Sequence, residues 1–278
     1  MEQPGAANET RPPQHVEEFE VLACGLFPRT AISVEYRPGR PCWEPSAEAL
    51  IDRVWQAYLR TSNEAGISIY NGALFRLDNF EWSDGRMQLM LSDVDFRSCI
   101  GTASGEFTSA FPDLPRANPL TVSIALVTSD GKIVVEKRRR VDSRRRSYHV
   151  IAGYMERGRD GSEPHPFDAL EKEVREELGV DLDRARLSAT GLVGAIYGSE
   201  VCFRCRLAVS FERLLKVQAG SGTDGEIETL QAIDDSPEAV AAFLAAHLEG
   251  LVPSGRACLL LYGREAYGEE WCKAVRGR

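Results

Sequence analysis

The 278-residue chain has no apolar run long enough to cross a membrane. Its longest helix-like apolar run, Ala239 to Leu248, is about half of the roughly 20 residues a span needs, so it reads as a core helix. The first sixteen residues have no apolar h-region and are polar and Pro-containing, so 1–16 is expected to be a disordered tail rather than a signal peptide, with the protein in the cytoplasm. A disulfide framework is missing as well. Seven cysteines, an odd number without regular spacing, fit free thiols in a reducing compartment. Cys202-x-x-Cys205 lacks a second Cys or His pair, and on a strand residues three apart face opposite ways, which argues against zinc. A basic excess is absent too. A net charge of −9 argues against a dedicated nucleic-acid binder, and the basic run Lys137 to Arg146 has no interleaved aromatics. No internal repeat is visible.

What the chain does have is an unusual helix. Phe167, Leu170, Val174 and Leu178 fall within roughly 40° of one line on a helical wheel, which predicts a buried face. Glu173, Glu176 and Glu177 share one flank, spread over about 100°, and Glu171, Lys172 and Arg175 take the other. Glu173 meets Glu176 at i+3 and Glu177 at i+4, each like-charged pair costing about 0.2–0.5 kcal/mol, whereas Glu171 with Arg175 is the ordinary opposite-charge pair. Gly179 reads as the residue just past the helix end, so the carboxylates crowd the negative pole of the helix dipole. A hard divalent cation reconciles these costs: Mg²⁺ by default, with Mn²⁺ as a substitute, takes oxygen ligands and keeps several waters.

Lys172 to Val180, K-E-V-R-E-E-L-G-V, resembles the second half of the Nudix box, R-E-U-x-E-E-x-G-U with U apolar, at eight of nine positions. Lys172 stands where that family has Arg, which keeps the charge and loses the bidentate fork. Ala152-Gly153 stands for the Gly-Gly of the first half, and Glu156 and Gly158 follow at the expected offsets. Arg159 takes the place of the first Glu, and about five extra residues separate Gly153 from Lys172; Glu163, inside that insertion, is the candidate replacement carboxylate. The resemblance implies a Mg²⁺-dependent hydrolase of a nucleoside diphosphate derivative. It implies Glu173, Glu176 and Glu177 as metal ligands, the Gly153 carbonyl close to the metal, and Glu176 or Glu177 as shared ligand and base. Glu200, Glu226 and Glu228 are later acidic candidates of the kind some members recruit from loops.

Phe111 to Pro119, with three prolines in nine residues, reads as a linker. It divides an N-terminal α/β domain, 17–115, from a second domain, 116–278. In the second, Leu120 to Lys137 alternates around Asp130-Gly131 as a hairpin, a short strand leads into Ala152-Gly153, strands lie near 187–196 and 201–211, and a helix starts about Ser236. The resemblance implies the Nudix fold here, a mixed sheet sandwiched between helices. In the first domain Leu50, Ile51, Val54, Trp55, Tyr58 and Leu59 form a helical stripe behind Ser46, and Ser68 to Phe80 and Arg86 to Val94 read as strands joined through Asp84-Gly85.

Ile51-Asp52-x-x-Trp55, Tyr70 to Leu77, Phe96 to Thr102 and Leu260 to Arg264 resemble segments of Nudix hydrolases that cleave UDP-glucose and UDP-galactose. That resemblance implies a nucleotide-sugar substrate split to UMP and sugar 1-phosphate, with another nucleotide such as ADP-ribose or a dinucleotide, or a nonenzymatic nucleotide- or RNA-binding module, as alternatives. Arg138 and Arg139, leaving the hairpin just before the box, are expected to reach the pyrophosphate. Tyr70 and Phe96, with Arg97, match positions expected to meet the base and nucleotide, although core packing competes for both rings.

Overall fold

The computed structural model describes residues 18–138, 148–158, 163–220 and 227–276. The tail 1–16, Arg139, Arg159 and Glu226 lie outside these residues. The elements run β1 (Phe19–Phe27), β2 (Ile32–Tyr36), α1 (Pro45–Glu64), β3 (Ala73–Ser83), β4 (Arg86–Asp95), α2 (Phe96–Thr102), α3 (Gly105–Ala110), β5 (Leu120–Val127) and β6 (Lys132–Arg138). They continue with β7 (Tyr148–His149), β8 (Ile151–Tyr154), α4 (Pro166–Leu178), β9 (Ser188–Ala195), β10 (Gly198–Arg206), α5 (Phe211–Gly220), β11 (Ile227–Asp234), α6 (Pro237–Ala246), α7 (Pro253–Tyr267) and α8 (Glu269–Arg276). None of these helices is long and apolar enough to cross a membrane.

Two sheets organise the chain. The larger has the order β1-β9-β10-β5-β6-β11, with β7 on β6 and β8 on β5; β10 runs parallel to β5 and the remaining pairs are antiparallel. Alternation along β5 assigns its faces. Leu120, Val122, Ile124 and Leu126 pack with Phe167, Leu170, Val174 and Leu178 of α4, while Ala125 and Val127 pack with α6 and α7. The architecture is thus a mixed α/β arrangement with a sheet between helices. A three-stranded sheet, β2-β4-β3, sends Phe75, Leu77, Met87, Leu89 and Leu91 into the same core as α4.

The expected division near residue 115 does not separate two layers, because β1 is hydrogen-bonded to β9 inside the larger sheet. The proline-rich connection is also pinned: Trp43 Nε1 donates to the Pro115 carbonyl at 2.8 Å, and the amide of buried Ala117 donates to Thr102 Oγ1 at 3.0 Å.

Local departures from the sequence reading have local causes. α1 starts at Pro45, whose missing N–H costs nothing in a first turn, and Ser46 Oγ donates to Glu44 at 2.6 Å instead of capping. β3 begins at Ala73, where its ladder with β4 begins, and not at Ser68. Asp84-Gly85 forms the expected turn, both residues at positive φ of 50° and 70°. β10 stops at Arg206, paired with Val127 at the end of β5; the Leu207 amide still donates to the Val127 carbonyl at 2.7 Å and the Ser129 amide to the Val209 carbonyl at 2.9 Å before α5 begins at Phe211. The apolar run expected as a core helix supplies α6, yet only Val240 and Leu244 are fully buried there, and the deeply buried helix is α7. Cys202 and Cys205 face opposite cores, as a strand requires.

Candidate functional site

α4 forms as its pattern demands. Pro166 occupies the first turn, His165 Nδ1 accepts the Phe167 N–H at 3.3 Å, and the four apolar residues are buried. Gly179 ends the helix at φ 68°, a left-handed conformation that glycine adopts without strain. Glu171 and Arg175, expected to pair with each other, take other partners: Arg184 donates to Glu171 at 2.6 and 2.7 Å, and Arg175 to Asp181 at 2.9 Å.

The three flank carboxylates remain. Glu173 and Glu177 are half-buried and Glu176 is exposed. Gly153 pairs with Val122 in the centre of the sheet, and its bare Cα accommodates Glu173: a Cβ built there would stand 2.1 Å from the Glu173 carboxyl carbon and 2.3 and 2.5 Å from its two oxygens. The box strand and the helix therefore meet at a space that only glycine leaves open. Among the described residues, no three His, Cys, Asp or Glu side chains already stand at metal-holding distance. Holding an ion would require these side chains to turn toward one another. The donor set itself, three carboxylates on one flank beside a backbone carbonyl, is the all-oxygen type that Mg²⁺ or Mn²⁺ takes.

Lys172 carries the next link. Its Nζ donates to Glu156 at 2.7 Å and lies 3.7 Å from Glu176, while the Tyr70 hydroxyl donates to the other Glu156 oxygen at 3.0 Å. Burial by itself would raise the Glu156 carboxyl, but Lys172 and Tyr70 hold it below its ordinary value. For Lys172 burial works against the charge, and Glu156, Glu176 and Glu173 carry its pKa above the usual lysine value. The Tyr70 phenol is raised by its hydrogen bond to Glu156. β3 delivers Tyr70 to this point: Leu74 bridges to Glu156, and the Phe75 and Arg157 amides bond to the Met155 and Ala73 carbonyls at 2.9 Å.

The other expected site residues scatter. Arg138 ends β6, half-buried, with its Nε donating to Glu136, which is almost fully buried. Arg139 lies outside the described residues. Glu163 is exposed ahead of α4; the carboxylate that receives Lys172 is Glu156. Glu226 is likewise outside the described residues, and Glu228 pairs with Lys137 at 3.4 Å. Glu200 is buried beside Thr121, which donates to it at 3.1 Å, and alternates with Val201, so it lies across the sheet from α4. Burial pushes its carboxyl up.

The two expected base-binding rings do not face each other across a slot. Phe96 is packed edge-on against Trp55, Tyr58 and Tyr154, with centroids 5.9, 6.1 and 5.6 Å away. Tyr70 is 71% exposed. The Arg97 guanidinium is held by Glu48 at 2.7 Å and Asp52 at 2.6 Å. Sequence reasoning missed that Tyr70 presents its hydroxyl to the box and that Glu156 takes Lys172. The two departures from the motif, Lys172 for Arg and Arg159 for Glu, point the sequence reading to Glu163 as replacement carboxylate, whereas Lys172 is received by Glu156.

No family model matches the chain, and no curated protein matches it. Solved structures with a likeness to it include a Nudix hydrolase family member from Chromobacterium violaceum, at 20% identity and TM-score 0.37 over 59% of this chain and 89% of that one. A Nudix hydrolase from Nitrosomonas europaea shows 15% identity and TM-score 0.38 over 54% and 90%. A bifunctional NMN adenylyltransferase/ADP ribose pyrophosphatase from Francisella tularensis, complexed with AMP and a manganese ion, shows 10% identity and TM-score 0.35 over 58% and 46%.

Proposed function

We propose that the chain is a Mg²⁺-dependent Nudix hydrolase that splits the pyrophosphate of a nucleoside diphosphate sugar, UDP-glucose or UDP-galactose, into UMP and sugar 1-phosphate. The observation that carries this reading is the Glu173 carboxylate lodged against the bare Cα of Gly153, with Glu176 and Glu177 on the same flank of α4. A merely binding module gains nothing from that self-repulsion.

Glu173, Glu176, Glu177 and the Gly153 carbonyl would hold the ion. When bound, it supplies positive charge to the pyrophosphate oxygens and acidifies the attacking water. In this reading the water oxygen forms a bond to phosphorus, the bond from that phosphorus to the bridging oxygen breaks, and the leaving phosphate departs in line. Glu176 or Glu177 receives the water's proton. Glu156 fixes Lys172, which would keep the ammonium from competing for Glu176 as an ion ligand. Arg138 and Arg139 at the end of the hairpin are the candidate pyrophosphate contacts, and exposed Tyr70 the candidate base contact.

The substrate rests on the N-terminal sequence resemblance and is tested by a panel. UDP-glucose, UDP-galactose, ADP-ribose and diadenosine diphosphate, each with Mg²⁺, should release UMP from the first two faster than AMP from the others. AMP release dominating would replace the UDP-sugar assignment with ADP-ribose or a dinucleotide. No release from any member would discard the hydrolase.

A further inference from the structure

We infer that the cleft where the linker meets the β9–β10 turn is a second binding site, for the phosphate monoester of a small sugar. The cleft has a volume of about 280 Å³ and is walled by Arg76 of β3, Thr102 of α2, Arg116 and Asn118 of the linker, and the Ile196–Tyr197 turn. That volume sits at the lower end of the ~300–1,000 Å³ typical of small-molecule sites, so it has room for a sugar phosphate and not for a whole nucleoside diphosphate sugar.

Its charge is unusual for this chain. Two guanidinium groups line the cleft and no Asp or Glu does, in a protein of net charge −9. Its hydrogen bonding is one-sided too. Thr102 Oγ1 donates to the Ser98 carbonyl at 2.8 Å and accepts the Ala117 amide at 3.0 Å. The Asn118 amide donates to the Leu77 carbonyl at 2.7 Å and its oxygen accepts from Ser199 at 3.0 Å. Those neutral groups are satisfied within the protein.

The arginines are not. Arg76 gives Nη1 to the Asp78 carboxylate, which offsets its charge, and its Nε–H, closed off from solvent, has no partner among the described residues. Among the described residues half-buried Arg116 makes one long bond, from Nη1 to the Ile196 carbonyl at 3.4 Å. A guanidinium carries five donors, so with Arg76 paired to Asp78 it is Arg116 that gives the cleft charged donors in excess of its acceptors. An occupant that complements it brings acceptor oxygens and negative charge, which is the chemistry of a phosphate ester, and arginine forks match phosphate bidentately. The partly exposed Ile196 and Tyr197 at the rim offer an apolar and aromatic surface to the attached sugar.

This cleft is distinct from the carboxylate site. None of Gly153, Glu156, Glu173, Glu176 and Glu177 lines it, and Pro119 in its wall lies three residues before Val122, the partner of Gly153, about 10 Å along the chain at ~3.3 Å per residue. The inference does not rest on the hydrolase reading, because the cleft needs no metal.

The experiment is calorimetric titration of the full chain with glucose 1-phosphate in excess EDTA, with glucose and inorganic phosphate in parallel. Expected are saturable binding of the ester that weakens with salt, weaker binding of inorganic phosphate and none of glucose. Arg116→Ala should weaken the ester at least tenfold, while Glu177→Gln leaves it unchanged. Should Arg116→Ala melt early, Arg116→Lys keeps the charge without the fork and should still weaken binding several-fold. No binding by the wild-type chain, or equal binding by Arg116→Lys and wild type, overturns the site. Inorganic phosphate binding as tightly as the ester overturns the sugar assignment.

Discussion

Gly153→Ala is the substitution for which the geometry gives the sharpest expectation. The new Cβ would stand 2.1 Å from the Glu173 carboxyl carbon, where ordinary contact begins at 3.4 Å, so the carboxylate must retreat by roughly 1 Å or more. The atoms met are the far end of a flexible side chain and not backbone, so the fold absorbs the change at a cost of about 1 kcal/mol or less, mostly lost packing around Glu173. On the proposed reading the function does not absorb it. A displacement of about 1 Å at a group that holds the reacting centre costs on the order of 100-fold in rate. The assay pairs thermal melting with turnover of UDP-glucose over a Mg²⁺ titration. Melting should move by a few degrees at most, while turnover falls about 100-fold and the Mg²⁺ needed for half-activity rises. A variant with wild-type turnover and wild-type Mg²⁺ dependence would refute the placement of Glu173 at the working site.

Three further outcomes follow from particular contacts. Glu156→Gln frees Lys172 to approach Glu176, 3.7 Å away at present, so the Mg²⁺ concentration for half-activity should rise several-fold while melting moves little, since the Lys172–Glu156 pair is surface-exposed and worth about 1 kcal/mol or less; an unchanged Mg²⁺ response would remove Glu156 from the site. His149 is buried, and burial, reinforced by Arg138, holds its pKa well below the ordinary value. As pH falls below ~6.5 the unfolded chain binds a proton that the folded chain refuses, so folding stability should drop by at most about 1.4 kcal/mol per pH unit, and His149→Leu should flatten that fall in urea titrations at pH 7.5, 6.5 and 5.5. Phe96→Ala should cost about 2 kcal/mol of stability, part of the ~3–5 typical of a fully buried ring, with little change in KM; a large rise in KM at unchanged stability would restore Phe96 as a base contact.

The elements that a sequence reports best are those whose pattern is local. α4, its glycine stop, the Asp130-Gly131 and Asp84-Gly85 hairpins and the Ser236 helix start each depend on residues within a turn or two of one another. α7 escaped because it is buried nearly all round and so shows little amphipathic periodicity, with nine buried residues in fifteen. β1 escaped as a member of the larger sheet because its pairing with β9 joins residues more than 160 positions apart, which no local pattern records. At the candidate site, the Glu173, Glu176 and Glu177 flank was legible from spacing, and Gly153 entered only through the resemblance to the Nudix box. The partnership of Tyr70, Glu156 and Lys172 was not, since it depends on β3 docking against the box strand. Phe96 and Arg97 look available in one dimension and are engaged in three, one by aromatic rings and the other by two carboxylates.

The most direct measurement of the central claim follows UMP release from UDP-glucose by the wild-type chain and by Glu177→Gln, first after exhaustive chelation and then after Mg²⁺ is restored. Wild-type release should vanish with chelator and return with Mg²⁺ or Mn²⁺, and Glu177→Gln should stay slower by orders of magnitude in both ions. Release that persists in the chelated wild type, or a Glu177→Gln variant that turns over at the wild-type rate, would contradict a metal-dependent hydrolase built on the α4 carboxylates.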